Sequence, residues 1–184
     1  MMRIITGTAR GYRLQTLPGE DTTRPTSERV KESVFSALQF EIEGRTVLDL
    51  FAGSGQMGLE ALSRGAAFAV FVDSSKDACE IVKQNARGAR LDGRMRIANT
   101  DAHAFCQRTS ERFDLAFLDP PYRAGLLPSL LSAVATLMNE GGVVMCETDA
   151  DTVLPERAAA LVLEKDKRYG KTQIWIYRKR EAIE

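Results

Sequence analysis

The chain has 184 residues, of which 44% are hydrophobic and 27% are charged, a composition typical of one soluble domain with a full core. Its 25 basic and 25 acidic side chains cancel, so the overall charge does not indicate a nucleic-acid partner, and such a surface would require uneven placement of charge. No apolar run is long enough to span a membrane and no signal peptide precedes the first predicted strand, so we expect a cytoplasmic protein. The three cysteines are far apart, which argues against disulfides and predicts no metal site.

The first 25 residues predict a small basic β-hairpin, appended to a main domain of residues 26–184. Residues 3–6 and 12–14 are the predicted strands, with a turn between them. The first 31 residues carry six basic side chains and three acidic ones, so the hairpin is a candidate contact with RNA or DNA, although a solvated surface hairpin would look the same. The candidate nucleic-acid contacts are Arg3, Arg10, Arg13, Arg24, Arg29 and Lys31.

A first helix is predicted directly after Pro25. Thr26 or Ser27 can cap its N-terminus, and apolar residues then recur at helical spacing from Val30 to Leu38.

From residue 46 onwards, predicted strands alternate with predicted helices. The strands are residues 46–51, 69–72, 95–98, 113–118 and 143–147, and the helices lie around residues 59–62, 76–90, 102–108 and 126–139. This alternation predicts a doubly wound parallel sheet. Residues 161–163 and 172–177 predict a hairpin that closes one edge antiparallel. We therefore expect an α/β, Rossmann-like, mostly parallel sheet of seven strands with an antiparallel C-terminal hairpin.

A glycine-rich loop joins the first predicted sheet strand to the following helix. Gly53, Gly55 and Gly58 fit the pattern G-x-G-x-x-G, and Asp73 follows Gly53 by 20 residues at the end of the next strand. The glycines let the backbone approach a ligand, and the carboxylate is placed to bind ribose hydroxyls. Several nucleoside cofactors use this pattern, so the loop alone does not identify one of them.

Asp49, just before this loop, favours one cofactor. A carboxylate beside the pyrophosphate of a nicotinamide dinucleotide would repel it by roughly a few kcal/mol in a partly buried site. S-adenosylmethionine (SAM) has no phosphate and carries a sulfonium and an ammonium, which an acid attracts. Asp101, after the third strand, could reach the adenine amino group. Three acids around one pocket therefore predict SAM, although Asp49 could instead brace the loop through backbone N–H groups.

The strand at residues 113–118 ends in Asp119-Pro120-Pro121-Tyr122. Two prolines cannot continue a central strand, because neither has an N–H group for the sheet. Asp119 should therefore lie on a stiff loop at the carboxyl end of a strand, where open α/β sheets bind ligands. The Asp119 carboxylate, the Pro120 carbonyl and the Tyr122 ring predict a clamp for a flat group that bears an amine, although Asp119 could simply cap a proline turn.

The motifs at residues 49–55, Asp73, Asp101 and residues 119–122 together resemble those of SAM-dependent amino-group methyltransferases. This resemblance points to the same cofactor as the placement of the acids. The candidate cofactor-binding residues are Asp49, Phe51, Gly53, Ser54, Gly55, Gly58, Asp73, Ser74, Asp101 and Ala102.

A second set of motifs narrows the resemblance. Residues 3–11 (RIITGTARG), 24–35 (RPTSERVKESVF) and 58–65 (GLEALSRG) resemble the RsmD family, bacterial methyltransferases that act on the N2 amino group of one guanine in 16S ribosomal RNA. The resemblance covers nearly the whole chain. Members of the family often have Phe at the position of Tyr122, and either ring can stack on a base.

The resemblance implies that Asp119, Pro120 and Tyr122 are catalytic, with 16S ribosomal RNA or the small ribosomal subunit as partner. No exposed apolar feature stands out in the sequence, so we expect a monomer. It also places Arg24, Thr26 and Arg29 near the methionine end of SAM, where they would bind its carboxylate or an RNA phosphate. Three alternatives stay open: an adenine-N6 methyltransferase acting on DNA or RNA, a nicotinamide-dependent oxidoreductase, and an RNA-binding module without catalysis.

Overall fold

The computed structural model describes residues 2–18, 28–121 and 125–180, and all statements below concern these residues. Five α-helices lie in this part of the chain: α1 Glu28–Ala37, α2 Gln56–Ser63, α3 Lys76–Gly88, α4 Ala102–Arg108 and α5 Leu127–Leu137. Eight strands accompany them: β1 Thr46–Leu50, β2 Phe68–Asp73, β3 Met95–Asn99, β4 Phe113–Leu118, β5 Met138–Asp149, β6 Arg157–Ala158, β7 Leu161–Tyr169 and β8 Thr172–Lys179.

The strands form one mixed sheet in the order β3-β2-β1-β4-β5-β8-β7-β6. The five strands from β3 to β5 are parallel, and β8, β7 and β6 continue the sheet antiparallel. This architecture confirms the predicted doubly wound sheet with its C-terminal hairpin. The count of seven strands was one short, because β6 has only two residues and two residues carry no periodic pattern.

The central strands are apolar because helices cover both faces of the sheet. On one face, side chains from α1, α2 and α3 pack with Val47 and Leu115; on the other, side chains from α4 and α5 pack with Leu48 and Ala116. The two faces thus hold β1 and β4 side by side, with Leu50 opposite Leu118 in register. The segments that follow these strands therefore leave the sheet next to each other.

The N-terminal segment folds back on itself as predicted, but it forms a single β-bridge and no regular strands. Arg3 and Arg13 make a single antiparallel bridge, and the Ile4 N–H donates to the Tyr12 carbonyl at 2.9 Å. Ile4 and Leu14 are buried in the core beneath α1, α2 and α3. Because these two side chains reach the core, the segment packs along the main domain, and its treatment as a separate extension stays a prediction.

Two element boundaries differ from the sequence prediction. Helix α5 ends at Leu137 and β5 begins at Met138, five residues earlier than expected, since Met138 pairs with Phe113 at the start of β4. Gly141, at φ 73°, lies inside this long strand. Because glycine is rare inside strands, residue propensities do not predict that the strand begins before it. The predicted caps of α1, Thr26 and Ser27, lie outside the described residues.

Candidate active site

The backbone leaves β1 through a sharp turn that positions the glycine loop. Phe51 has φ 78°, a left-handed conformation that costs a bulky residue on the order of 1–3 kcal/mol. Its N–H and that of Ala52 both donate to the Val72 carbonyl at 3.0 Å, which offsets the strain. Gly53 and Gly55 also have positive φ, at 54° and 79°. The loop is therefore anchored to the end of β2.

Gly58, the third glycine of the motif, allows α2 to pack directly on β2. A Cβ atom there would lie 2.4 Å from the Phe71 ring and 3.1 Å from Asp49 Oδ2. The missing side chain thus brings the start of α2 against the buried acid of β1.

Asp49 is buried, and its Oδ2 accepts a hydrogen bond from the Gly58 N–H at 2.8 Å. Burial raises the pKa of this carboxyl to about 7, with a smaller contribution from Asp73, while the Gly58 N–H acts in the opposite direction. The contact is the one expected of an acid that braces the loop. Attraction of the SAM cation by Asp49 stays a prediction.

Asp73, at the end of β2, connects the loop to α3. One carboxylate oxygen accepts from the Gly53 N–H at 2.9 Å and the other from the Ser75 N–H at 2.8 Å. Each carboxylate oxygen has a second lone pair. Asp73 can therefore hold the loop and still accept bonds from ribose hydroxyls.

The remaining predicted cofactor contacts are dispersed around this edge. Asp101 is exposed and caps α4 by accepting from the Ala104 N–H at 3.1 Å, while Ala102 is buried and Ser74 is exposed. The sequence analysis missed Asn99, whose Nδ2 donates to the carbonyls of Asp73 and Ser74 at 3.0 Å. An asparagine at a strand end was the only signal available.

Ser54 is buried and contacts the N-terminal segment. It is 4% exposed, and its hydroxyl donates to the Met2 sulfur at 3.1 Å. Its carbonyl accepts from Asn85 Nδ2 at 2.9 Å. The side chain therefore contacts the N-terminal segment, and cofactor binding by Ser54 stays a prediction.

Asp119 follows β4 beside the glycine loop. The side chain is half-buried, Pro120 is buried and Pro121 is exposed. Since Leu118 lies opposite Leu50, Asp119 leaves the sheet next to Phe51. Tyr122, the third residue of the predicted clamp, lies outside the described residues.

A cavity of about 240 Å³ opens beside the two prolines, between the end of β5 and the start of α5. Its walls are mostly apolar, with oxygen-bearing side chains from the end of β5. Thr148 Oγ1 accepts from the Trp175 Nε1–H at 2.9 Å, which fixes this wall. The cavity is lined by Pro120, Pro121, Gly125, Leu126, Leu127, Pro128, Glu147, Thr148, Asp149, Thr152, Val153 and Leu154.

The basic candidates divide into exposed and buried side chains. Arg10, Arg13 and Arg29 are exposed, and Arg3 pairs with Glu28 at 2.9 Å. Arg24 lies outside the described part of the chain.

Lys31 corrects the sequence prediction, because it is 1% exposed and not available to a nucleic acid. Its Nζ lies 3.1 Å from Glu60 Oε2 and donates to the Arg3 carbonyl at 2.8 Å. Burial lowers the pKa of the Lys31 ammonium, and the Glu60 charge opposes this effect. The partner, 29 residues away, could not be read from local charge.

Residues 2–18, 28–121 and 125–180 contain no cluster of three His, Cys, Asp or Glu side chains that could hold a metal ion. Burial raises the pKa of the Cys79 and Cys146 thiols and that of Cys106 to about 11, so all three are neutral at pH 7. None of the helices in this part of the protein is both long and apolar enough to cross a membrane.

Solved structures show which class of protein this fold and site define. The chain superposes on a structure described as "Putative methyltransferase yhhF from Escherichia coli" with a TM-score of 0.88 and 31% identity, over 98% of this chain and 99% of that one. The glycine loop, the acid at the end of β2 and the Asp-Pro-Pro turn lie at one edge of the sheet. The protein is a SAM-dependent methyltransferase, and the oxidoreductase alternative is dropped.

The sequence comparisons identify the family. The family model "Conserved hypothetical protein 95" matches residues 2–178. The chain is 38% identical to "Putative rRNA methyltransferase YlbH" of Bacillus subtilis, over 97% of this chain and 100% of that protein. It is 34% identical to "Ribosomal RNA small subunit methyltransferase D" of Escherichia coli K12, over 98% and 91%. The chain belongs to this family, the RsmD family, as its motifs predicted.

Proposed function

We propose that this protein transfers a methyl group from SAM to the exocyclic N2 amine of one guanine in 16S ribosomal RNA, within the small subunit or an assembly intermediate. Methylation of ribosomal RNA is supported by the names of its relatives. The observation that most supports this proposal is the position of Asp119 and Pro120 at the end of β4, beside the glycine loop that follows β1. The two partners of the reaction would meet at this edge.

Methyl transfer to this amine requires a site that orients a weak nucleophile. The lone pair of an exocyclic guanine amine is delocalised into the ring, so the amine must be held with that lone pair directed at the sulfonium methyl. The Asp119 carboxylate and the Pro120 carbonyl would accept the two N–H bonds and leave the lone pair free. Such orientation can contribute up to about 7–11 kcal/mol to lowering the barrier.

During transfer, the nitrogen–methyl bond forms as the sulfur–methyl bond breaks, and S-adenosylhomocysteine leaves. Positive charge develops on nitrogen, and the Asp119 carboxylate stabilises it. An acid of ordinary pKa cannot deprotonate the amine beforehand, but it can accept the proton once the nitrogen is methylated.

The cavity beside Pro120 and Pro121 is where we place the base. The guanine must be unpaired or flipped out of its helix to enter. Stacking on Tyr122 would contribute about 1–3 kcal/mol.

Label transfer from methyl-tritiated SAM tests the proposal. The acceptors are naked 16S RNA, small subunits lacking the modification, and duplex DNA, and the modified nucleoside is identified by mass spectrometry. We expect N2-methylguanosine in ribosomal RNA, with a loss of about 10²-fold or more in Asp119→Ala and no loss in Asp92→Ala. Asp92 is an exposed acid before β3, so it serves as the matched control.

Two outcomes would contradict parts of the proposal. N6-methyladenine in either nucleic acid would keep the clamp and replace the substrate. Full activity of Asp119→Ala, with SAM bound normally by calorimetry, would remove Asp119 from the mechanism. We further propose that the enzyme works as a monomer in the cytoplasm, and sedimentation in the presence of SAM would test the monomer.

A further inference from the structure

A large apolar side chain is exposed beside the candidate active site. Among the residues that the structure describes, two large hydrophobic side chains are exposed: Phe40, at 89%, and Val153, at 85%. Val153 lies in the connection between β5 and β6 and lines the cavity that Pro120 and Pro121 also line. A single exposed hydrophobic residue is common on protein surfaces, so a role for Val153 must follow from its surroundings.

The backbone on both sides of Val153 is held in place. The Thr152 N–H donates to the carbonyl of the last residue of β5 at 3.0 Å. Leu154 is 4% exposed and packs in the core with side chains of α4 and α5. The Pro155 carbonyl accepts a hydrogen bond from the Tyr177 hydroxyl at 2.8 Å. Val153 is therefore presented to solvent by a fixed backbone.

Apolar residues from three separate segments line the same cavity. Pro121, after β4, is exposed, and Leu126, before α5, is half-buried. Val153 adds an apolar surface from the segment after β5. Pro120, whose carbonyl would hold the amine in the proposed reaction, also lines this cavity. The exposed valine is thus continuous with the place where we expect the base.

A nucleobase has a polar edge and two apolar faces. A base that is flipped out of its helix loses the neighbouring bases that covered its faces, and enzymes replace them with aromatic and apolar side chains. In the proposed reaction, the Asp119 carboxylate and the Pro120 carbonyl hold the amine at the edge of the base, so the faces need other contacts. Val153 suits such a contact because its β-branched side chain is stiff and loses little conformational freedom on packing.

We propose that Val153 packs against one face of the target guanine and shields the cavity from solvent during methyl transfer. The proposal rests on the proposed function. It adds a contact from the segment after β5 to the groups of the Asp-Pro-Pro turn after β4. An apolar contact with a face does not distinguish one purine from another. Val153 therefore determines how much of the time the base occupies the cavity and not which base enters.

The test compares two substitutions of Val153 with one substitution of the other exposed hydrophobic residue. Val153→Ser removes the apolar surface, Val153→Ile retains it, and Phe40→Ser is the matched control. Phe40 lies between the end of α1 and the start of β1, and therefore toward the amino-terminal edge of the parallel strands, away from Asp119. Both side chains are exposed, so these substitutions should leave the fold and its stability unchanged.

The acceptor is 16S RNA in the form that the wild type methylates, naked or within the small subunit. A second preparation carries 2-aminopurine in place of the target guanine. This analogue keeps the amine of guanine, and its fluorescence rises when it leaves the base stack. The rise on binding, kcat/KM for RNA, the SAM dissociation constant and the melting temperature are measured for each protein.

We expect Val153→Ser to lose about tenfold or more in kcat/KM for RNA, because one missing apolar contact in a pocket is worth roughly this factor. The rise in 2-aminopurine fluorescence should shrink in the same variant. The SAM dissociation constant and the melting temperature should not change, which separates a lost base contact from misfolding. Val153→Ile and Phe40→Ser should behave like the wild type.

Wild-type kcat/KM and fluorescence in Val153→Ser would overturn the proposal for Val153, and so would an equal loss in Phe40→Ser. A loss confined to assembled subunits, with a normal fluorescence rise in naked RNA, would assign Val153 to a contact with a ribosomal protein and also overturn it. If the wild type methylates no RNA guanine, the proposed function fails and the proposal for Val153 fails with it. If the wild type does so and Val153→Ser is unaffected, the proposal for Val153 alone fails.

Discussion

The most unusual single residue of the site is Asp49, a buried acid that accepts a backbone hydrogen bond from Gly58. Its pKa is raised to about 7, mainly because burial penalises the charged form. The carboxyl group of Asp49, next to the glycine loop, therefore changes charge near neutral pH.

The first prediction concerns stability against pH. Because the folded-state pKa of Asp49 lies above its unfolded value, its contribution to the free energy of unfolding is full below about pH 4 and is lost as pH rises to about 7. The loss amounts to at most about 4 kcal/mol. Urea unfolding of the wild type and Asp49→Asn across this range should show the variant gaining relative stability as pH rises. A constant difference between the two proteins would contradict the raised pKa.

The second prediction concerns SAM affinity, which should rise with pH whereas the contribution of Asp49 to stability falls. A sulfonium or ammonium near Asp49 favours the ionised acid, so SAM affinity of the wild type should increase as pH rises through about 7. Asp49→Asn should bind more weakly above pH 7 and show a flatter profile. Calorimetry in buffers of different ionisation heat would detect the released proton, and its absence would leave Asp49 as a brace only.

Gly58 supports a third prediction at the residue scale. Gly58→Ala places a methyl group 2.4 Å from the Phe71 ring, so α2 must shift. We expect a loss of about 1–3 kcal/mol in the free energy of unfolding, together with weaker SAM binding. Gly93→Ala is the control, because a Cβ atom there meets nothing within 4 Å. Unchanged melting of Gly58→Ala would show that this packing relaxes without cost.

Among the elements, α2 and α3 share the task of holding the N-terminal segment. Glu60, on α2, is completely buried and accepts from the Ile5 and Thr6 N–H groups at 2.8 and 3.0 Å, while Ser63 Oγ donates to the Thr6 carbonyl at 2.6 Å. Asn85, on α3, holds Gln15 and the Ser54 carbonyl together. The segment that resembles the RsmD family is thus clamped by side chains behind the cofactor loop.

The fourth prediction tests the α3 contact. Asn85→Ala removes the hydrogen-bond partner of two backbone groups of Gln15, an exposed residue, and of the carbonyl of the buried Ser54. Leaving the buried Ser54 carbonyl unsatisfied costs roughly 1–3 kcal/mol. We expect a lower melting temperature, faster hydrogen exchange at Gln15 and several-fold weaker SAM binding. Gln84→Ala, at the exposed neighbouring position, should change none of these. Normal SAM affinity in Asn85→Ala would show that the hydrogen bonds of Asn85 do not support the glycine loop.

At the scale of the whole molecule, charge is arranged by packing and not by composition. Twenty-five basic and twenty-five acidic side chains cancel overall. Yet Lys31 is paired with Glu60 in the interior, and Arg178 is paired with Glu41 and Glu164, which lie outside its own strand. The position of a charge in the folded protein therefore depends on contacts between elements and not on composition.

Much of the backbone structure around the candidate site follows from local sequence patterns. The glycine spacing, Asp73 at the end of a strand and the Asp-Pro-Pro turn depend on backbone chemistry within a few residues, and the alternation of strands and helices predicted the sheet. Phe51 marks the limit of such reading. Its left-handed conformation belongs to a position where an aromatic side chain would not be expected.

The features that the sequence pattern could not predict all depend on contacts with residues far along the chain. Lys31 looked like a surface cation until Glu60 was placed beside it, and the contact of the Ser54 hydroxyl with the Met2 sulfur has no local signal in the sequence. The contact of the Tyr12 hydroxyl with the backbone at Gly88 likewise joins two distant segments. Periodicity and turn chemistry act over a few residues and determine the elements and the loop, whereas burial and charge pairing join residues 29 to 76 positions apart. Those long-range contacts exist only once the sheet has assembled.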